Sequence, residues 1–220
     1  MKESDPSGSD VDGPRVTTES VTQVMEAPFA QDDWGLGEIS QARPHARGTL
    51  PRLQMTARPG IDPVTGLYRF EFFHALAQIE LKRVRRYGQL LSACLVGLDD
   101  SSVREVSTAA WEALKLRVAR RVHGVIREID HAVMSAEGRI LVLLPCTSLE
   151  GAEKAGRRLA TAVQLDGPLA LEGQTILPTV SVGVAAMRAE RCSFARLVRD
   201  AATALRAAQL KGGGQVVVRG

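Results

Sequence analysis

Arg127 and Asp130 stand three residues apart in the segment Arg127-Glu128-Ile129-Asp130, and this pair has the chemistry to read the edge of a guanine. An arginine can donate two parallel hydrogen bonds to O6 and N7, while a carboxylate accepts from N1–H and the exocyclic amine. The same spacing also describes an i,i+3 surface ion pair worth about 0.2–0.5 kcal/mol. Other reactive side chains do not gather into a site along the sequence. His74, His123 and His131 are scattered without an i,i+4 pair and His45 lies in a polar amino-terminal stretch, so no metal site is expected. Cys94, Cys146 and Cys192 are odd in number and lack CxxC spacing, which suits a reducing cytoplasm with no disulfide framework. Cys94 and Cys146 sit in apolar runs and are expected to be small core residues. Trp111 lies off the main apolar row of its helix, a position suited to helix packing or an interface rather than to base stacking.

The elements that must position these residues fit one domain preceded by a tail. Hydrophobic residues make up 45% of the 220, enough for a full core, and no run of 18 or more apolar residues could cross a bilayer. Residues 1–56 carry 5 Lys/Arg against 9 Asp/Glu, net −4, and residues 57–220 carry 23 against 16, net +7. The tail is rich in Ser, Asp, Gly, Pro and Thr and has no sustained periodicity, so it is expected to be disordered and acidic. Within it, VTQVMEAPFA and Trp34 could form a short docking motif. The basic domain suits an anionic ligand, but no interleaving of glycine, aromatic and arginine residues points to nucleic acid.

Order is expected from about Ile61. Phe70, Phe73, Leu76, Ile79, Leu81 and Val84 recur at helical spacing up to Tyr87-Gly88, and LLSACLVGL reads as a strand buried on both faces. Val103, Val106, Ala110, Leu114, Val118, Val122, Val125 and Ile129 predict one long amphipathic helix. Residues 132–145 read as a hairpin turning at Ser135-Ala136-Glu137-Gly138, and Ser148 caps a helix running to about Val163. TILPTVSVGVAAM is β-forming, Ser193 to Leu210 is helical, and three glycines lead into the strand QVVV. Helix, strand, helix, hairpin, helix, strand, helix, strand predicts an α/β three-layer sandwich with a central mixed sheet, flanking helices and a hairpin.

Asp62 to Leu67, Thr179 to Ala185 and the alanine-rich pattern at 204–212, standing in this order around these elements, together resemble over residues 61–219 the GGDEF, or diguanylate cyclase-like, family. Asp62-Pro63-Val64-Thr65-Gly66-Leu67 resembles the DxLTGL opening, although Arg69-Phe70 replaces the usual Asn-Arg. Thr179-Val180-Ser181-Val182-Gly183-Val184-Ala185 resembles the TVSxGVA strand, and the alanine-rich pattern at 204–212 resembles the last helix. The resemblance implies the GGDEF, nucleotide-cyclase-like fold for residues 57–220. A cyclase of this family joins two GTP molecules and needs carboxylates to hold divalent metal against the triphosphate. At the signature this sequence has Ala136-Glu137-Gly138-Arg139-Ile140, with glycine where the metal-binding acid should stand and arginine at the next acid. Gly97 takes the place of the strand-end metal aspartate, leaving Asp99 of that pair, and Gln209 and Gly213 replace a phosphate-contacting Lys and a later Arg. The guanine-binding Asn and Asp have no clear counterpart, although Glu105 or Glu112 could lie nearby.

By the same resemblance, Arg127 and Asp130 form the RxxD inhibitory site that lies five residues before the signature and binds cyclic di-GMP, and Arg158 matches the arginine that the next helix adds. The expected function is therefore that of a non-catalytic cyclic di-GMP receptor in bacterial signalling, without a cofactor or metal. A ligand-bridged homodimer is implied, since the ligand often binds as an intercalated dimer. The alternative is a ligand-independent scaffold that presents the fold to a signalling or polarity protein.

Overall fold

The computed structural model describes residues 60–99, 106–171, 173–187 and 192–219. The expected tail and its docking motif lie outside these residues, as does Val103 of the predicted long helix.

The chain forms α1 (Phe70–Tyr87), β1 (Leu91–Leu98), α2 (Thr108–His123), β2 (His131–Met134), β3 (Ile140–Pro145), α3 (Leu149–Gln164), β4 (Leu169–Leu171), β5 (Gln174–Ile176), β6 (Val180–Ala186), α4 (Phe194–Leu210) and β7 (Val216–Arg219). Five strands make one mixed sheet in the order β2-β3-β1-β6-β7. The pairs β2/β3, β3/β1 and β1/β6 are antiparallel and β6/β7 is parallel. The three-layer α/β expectation holds. β1 is buried at all eight positions, as an apolar run flanked by strands on both sides requires.

Alternation along the strands divides the core in two. One face sends Cys94, Val96, Val142, Val182 and Val184 against Leu114, Val118 and Val122 of α2 and Leu159 and Val163 of α3. The other sends Leu91, Leu95, Leu141 and Leu143 against Phe73 and Leu81 of α1 and Leu197 and Leu205 of α4. On α2 and α3 the side-by-side placement is fixed by Asp166, just beyond α3. Its carboxylate takes both Arg117 and Arg121, and Arg117 also donates to the carbonyl oxygens of Asp166 and Gly167.

Local sequence sets the boundaries. Gly88 ends α1 in the left-handed conformation (φ 63°), its N–H donating to the Val84 carbonyl. Ser107, Ser148 and Ser193 cap α2, α3 and α4, each hydroxyl accepting from a backbone N–H three residues on.

Four expectations need correction. α2 begins only at Thr108 and stops at His123, because Gly124 interrupts the helix. Val125 and Ile129 therefore belong to the loop that follows, where Ile129 is exposed. On α1 the buried row is Phe73, Ala77, Glu80, Leu81 and Val84, and Ile79 faces outward at 45% exposure. Cys94 is in the core as expected, but Cys146 is exposed, since the chain turns out of the sheet after Pro145 (Cys146 φ 51°). Finally, the β-forming stretch divides into β5 and β6, and β4 with β5 forms a small antiparallel ribbon that the sequence pattern did not separate.

Candidate functional site

The 124–130 loop leaves α2 and enters β2, and Asp130 closes its last turn. One carboxylate oxygen, Oδ2, accepts from the backbone N–H of Arg127 at 2.8 Å. The Asp130 N–H in turn donates to the Arg127 carbonyl at 3.0 Å. The pair is thus not a helical i,i+3 salt bridge. The aspartate secures a turn that leaves the Arg127 side chain exposed.

Asp130 is only 3% exposed, and its Oδ1 is buried with no hydrogen-bond partner. Burial pushes the Asp130 carboxyl above the usual range, opposed by the Arg127 N–H and by the charges of Arg127, Arg158 and His131. Arg158, exposed on α3, therefore lies within electrostatic reach of Asp130. Cys94 of β1 feels the same two groups from inside the core. Its thiol is pushed up to about 12 by burial and by the Asp130 charge, with Arg158 pulling the other way. The fold thus sets Arg127 and Asp130 on one loop at the rim of one cleft, with Arg158 of α3 in electrostatic reach of Asp130.

Beside this group the opening loop makes a compact turn. Asp62 Oδ1 accepts from Val64 N–H and Oδ2 from the Thr65 hydroxyl, and Gly66 (φ 77°) donates to the Asp62 carbonyl. A Cβ on Gly66 would come within 3.0 Å of the His123 ring, so glycine permits both the conformation and the contact. Tyr68 N–H donates to the Ala132 carbonyl, tying the loop to β2. Between this loop and the 124–130 loop lies a cleft of about 300 Å³, lined by Leu67, Tyr68, His123, Ile126, Arg127 and Asp130 among others.

A buried pair beneath the site was not anticipated from the sequence. Glu80 of α1 is 4% exposed, bonds Arg83 at 2.7 Å and lies 3.7 Å from Nε2 of His131, whose Nδ1 has no partner. The signal was present, since Glu80 falls seven residues after Phe73 on the same helical face. Burial pushes the His131 pKa below its ordinary value, while Glu80 and Asp130 oppose this and Arg83 reinforces it. A lowered folded-state pKa for a histidine means stability that is present above the unfolded value, about 6.5, and is lost as pH falls below it through the folded value. Denaturant melts between pH 7.5 and 5 should show that loss, and His131→Gln should flatten the profile. An unchanged slope in the variant would assign the acid sensitivity elsewhere.

The signature segment forms the β2–β3 turn, with Gly138 N–H donating to the Ser135 carbonyl and Gly138 in the left-handed region (φ 79°). The stem of Lys115 lies over Gly138, where an added Cβ would fall 2.3 Å from its Cδ, and its ammonium pairs with Glu112 at 2.7 Å. At Gly97 a Cβ would meet Leu205 at 3.1 Å and Gln209 at 3.3 Å. Gln209 donates to the Leu98 carbonyl. Asp99, 3% exposed, accepts from the Ser181 hydroxyl at 2.6 Å and from Gly214 N–H at 2.7 Å. Glu137 is half-buried on the turn, and Glu105 lies outside the described residues. Among the described residues no three His, Cys, Asp or Glu side chains come together to hold a metal ion. No described helix is long and apolar enough to cross a membrane.

The GGDEF domain family, described as "Diguanylate cyclase, GGDEF domain", matches residues 60–215. No curated protein is significantly similar to the chain in sequence. Among solved structures, the diguanylate cyclase SiaD of Pseudomonas aeruginosa, in complex with its activator SiaC, is 24% identical with a TM-score of 0.63. That match covers 73% of this chain and 62% of SiaD, so the chain spans less than two thirds of that relative. The GGDEF domain of YfiN from Pseudomonas aeruginosa is 22% identical with a TM-score of 0.61, covering 71% of this chain and 98% of that one. The GGDEF domain of DgcB from Caulobacter crescentus, in complex with cyclic di-GMP, is 15% identical with a TM-score of 0.62, covering 80% and 98%. These structures share the α/β architecture with its mixed sheet, and the family match runs from the opening loop at Gly60 to the glycine turn before β7: the chain belongs to the GGDEF domain family.

Proposed function

We propose that this GGDEF domain is a receptor for cyclic di-GMP and not a cyclase. One observation carries the reading. Two arginines, Arg127 and Arg158, act electrostatically on a buried aspartate that still has an unpartnered oxygen and whose partnered oxygen closes the turn carrying Arg127. Arginine forks suit guanine O6 and N7 or a phosphate, and the carboxylate suits guanine N–H donors. A DgcB GGDEF domain was solved with this dinucleotide, which supports the choice of ligand. Arginines on two elements around one ligand also suit a ligand-bridged homodimer, since each bound dinucleotide presents several guanine and phosphate faces.

The non-catalytic half rests on the fit of the residues to a metal. Cyclization needs carboxylates free to hold divalent cations. Asp99 is engaged by Ser181 and Gly214, Leu205 and Gln209 lie against Gly97, and Lys115 covers Gly138. These residues do not fit a metal pair. Gly138 and Arg139 supply no carboxylate at the signature.

Titration calorimetry of the full chain with cyclic di-GMP is the test. Binding is expected, with at least a tenfold loss, about 1.4 kcal/mol, in Arg127→Ala. No heat from the wild-type chain would overturn the receptor reading and favour the ligand-independent scaffold. Incubation with GTP and Mg²⁺ at high protein concentration is expected to give no cyclic di-GMP. Product formation would overturn the non-catalytic half.

A further inference from the structure

α1 packs one face on the sheet and presents a second, apolar-to-basic stripe on its far side. Phe73, Ala77, Glu80, Leu81 and Val84 are buried. At about 100° per residue, Phe72, Ile79 and Arg86, each seven residues from the next, fall on the side turned away from them. Phe72 is 46% and Ile79 45% exposed, and Ala75 between them is exposed as well. A single exposed apolar side chain is ordinary on a protein surface. Two on one row, two turns apart, make a strip with the spacing by which apolar segments dock on helices. Beyond Ile79 the strip turns basic, with Lys82, Arg83 and Arg86 all exposed. After Glu71 the only acid on α1 is the buried Glu80, which holds Arg83 at 2.7 Å. Lys82 and Arg86, whose guanidinium stands over the Tyr87 ring, are left to meet an anionic partner.

We propose that this face of α1 is the docking site of the chain's own segment 21–39. The segment has the matching chemistry. Val21, Val24, Met25, Phe29 and Trp34 supply apolar side chains, while Glu26, Asp32, Asp33 and Glu38 supply negative charge with no Lys or Arg among them. The apolar side chains cover Phe72, Ala75 and Ile79, and the acids meet Lys82 and Arg86. The attachment point favours the same face. An added Cβ on Gly60 would fall 2.2 Å from the Phe72 ring, so that ring lies on the backbone where residues 1–59 join the domain. The chain therefore leaves the domain beside the first turn of the strip. Residues 40–59 connect it to the segment. Twenty residues reach about 66–72 Å when extended, whereas the 18 residues of α1 span about 27 Å, so every part of the strip is within reach. Tethering also raises the effective concentration to the order of millimolar, so a strip of this modest size suffices. This docking makes no use of Arg127, Asp130 or Arg158 and stands whether or not the chain binds a dinucleotide.

Amide chemical-shift mapping of the full chain against its Phe29→Ser/Trp34→Ser variant tests the docking. Both substitutions lie outside the two core clusters, so the domain fold is not at stake. The amides of Phe72, Ala75, Ile79 and Lys82 should shift between the two proteins, while those of the central strand β1 stay in place. Asp32→Asn/Asp33→Asn should move the same four amides in the same direction by a smaller amount, and salt near 1 M, where the screening length falls to about 3 Å, should act likewise on the wild type. From the other side, Ile79→Ser should speed chymotrypsin cleavage after Phe29 and Trp34 several-fold, because an undocked segment is open to the protease. α1 amides unmoved by the tail substitutions, or shifts centred on another element, would overturn the proposal, as would cleavage at the same rate in Ile79→Ser and wild type. Shifts that vanish on dilution, with a dimer seen by sedimentation, would assign the face to the segment of a second copy and overturn docking within one chain.

Discussion

Gly183→Ala is expected to leave no folded protein. Gly183 lies in β6, paired with Leu95 of β1 and Val217 of β7, and α4 crosses directly over it. A Cβ there would fall 2.0 Å from the Ala201 carbonyl oxygen, 2.2 Å from Leu205 N and 2.8 Å from Leu205 Cα. All three are backbone atoms within a helix, so no side-chain rotation relieves the overlap. Either α4 lifts from the sheet, exposing Leu197, Ala201 and Leu205, or β6 leaves its place between two partners. Overpacking that flexible neighbours can absorb costs about 1–3 kcal/mol, whereas a backbone collision belongs with the rare effects above 4–5 kcal/mol. That is comparable with the whole stability of many domains, about 5–15 kcal/mol. Circular dichroism and denaturant titration of the purified variant check it, with Gly156→Ala as the comparison. The atoms nearest a Gly156 Cβ are side-chain carbons of Val182, Val184 and Val216, at 3.2–3.3 Å, so that variant should fold with a cost nearer 1–3 kcal/mol. A Gly183→Ala protein with near wild-type stability would show that α4 does not sit this close to β6.

The glycine in VSVGV also marks the limit of what the sequence discloses. The strand was legible from its β-branched residues, and the glycine from its place in the motif, but its reason lies in a helix that comes 11 residues later in the chain. Elements with strong local signals were read well: β1 from an unbroken apolar run, the ends of α1 and α3 from Gly88 and Ser148, the hairpin from a turn ending in Gly138. α2 was overextended because Val125 and Ile129 continue its spacing, and periodicity outweighed the single glycine at 124.

For the site, the sequence supplied residue types and the fold supplied their neighbours. That Arg158 would act on Asp130 was implied only by family resemblance, because 27 residues of hairpin and helix lie between them in sequence. Glu80, a charged residue among apolar ones on α1, is buried against His131. Lys115 of α2 is 8% exposed, and its stem lies over Gly138 of the β2–β3 turn. Burial of charge is decided by what packs from another element, and no local pattern encodes it.

Asp130→Asn is expected to separate stability from binding in opposite directions. A carboxyl whose folded pKa is raised holds its proton to higher pH in the folded state than in the unfolded chain. Its contribution is therefore fully present below the ordinary aspartate value, about 3.9, and is lost as pH rises through the folded value. At neutral pH the ionized, buried side chain is a net cost to the fold. Asparagine keeps an oxygen for the Arg127 N–H and removes the charge, so the melting temperature at pH 7 should stay level or rise. The dependence of stability on pH above the ordinary carboxylate range should flatten. Cyclic di-GMP affinity should nonetheless fall at least tenfold, about 1.4 kcal/mol, because an amide nitrogen would stand among the guanine N–H donors where a charged acceptor stood. If the variant lost about 2 kcal/mol of stability and bound the ligand normally, Asp130 would be a turn residue and nothing more. If it gained stability and lost the ligand, the chain would hold a residue its fold would be better without, and ligand recognition would account for its presence.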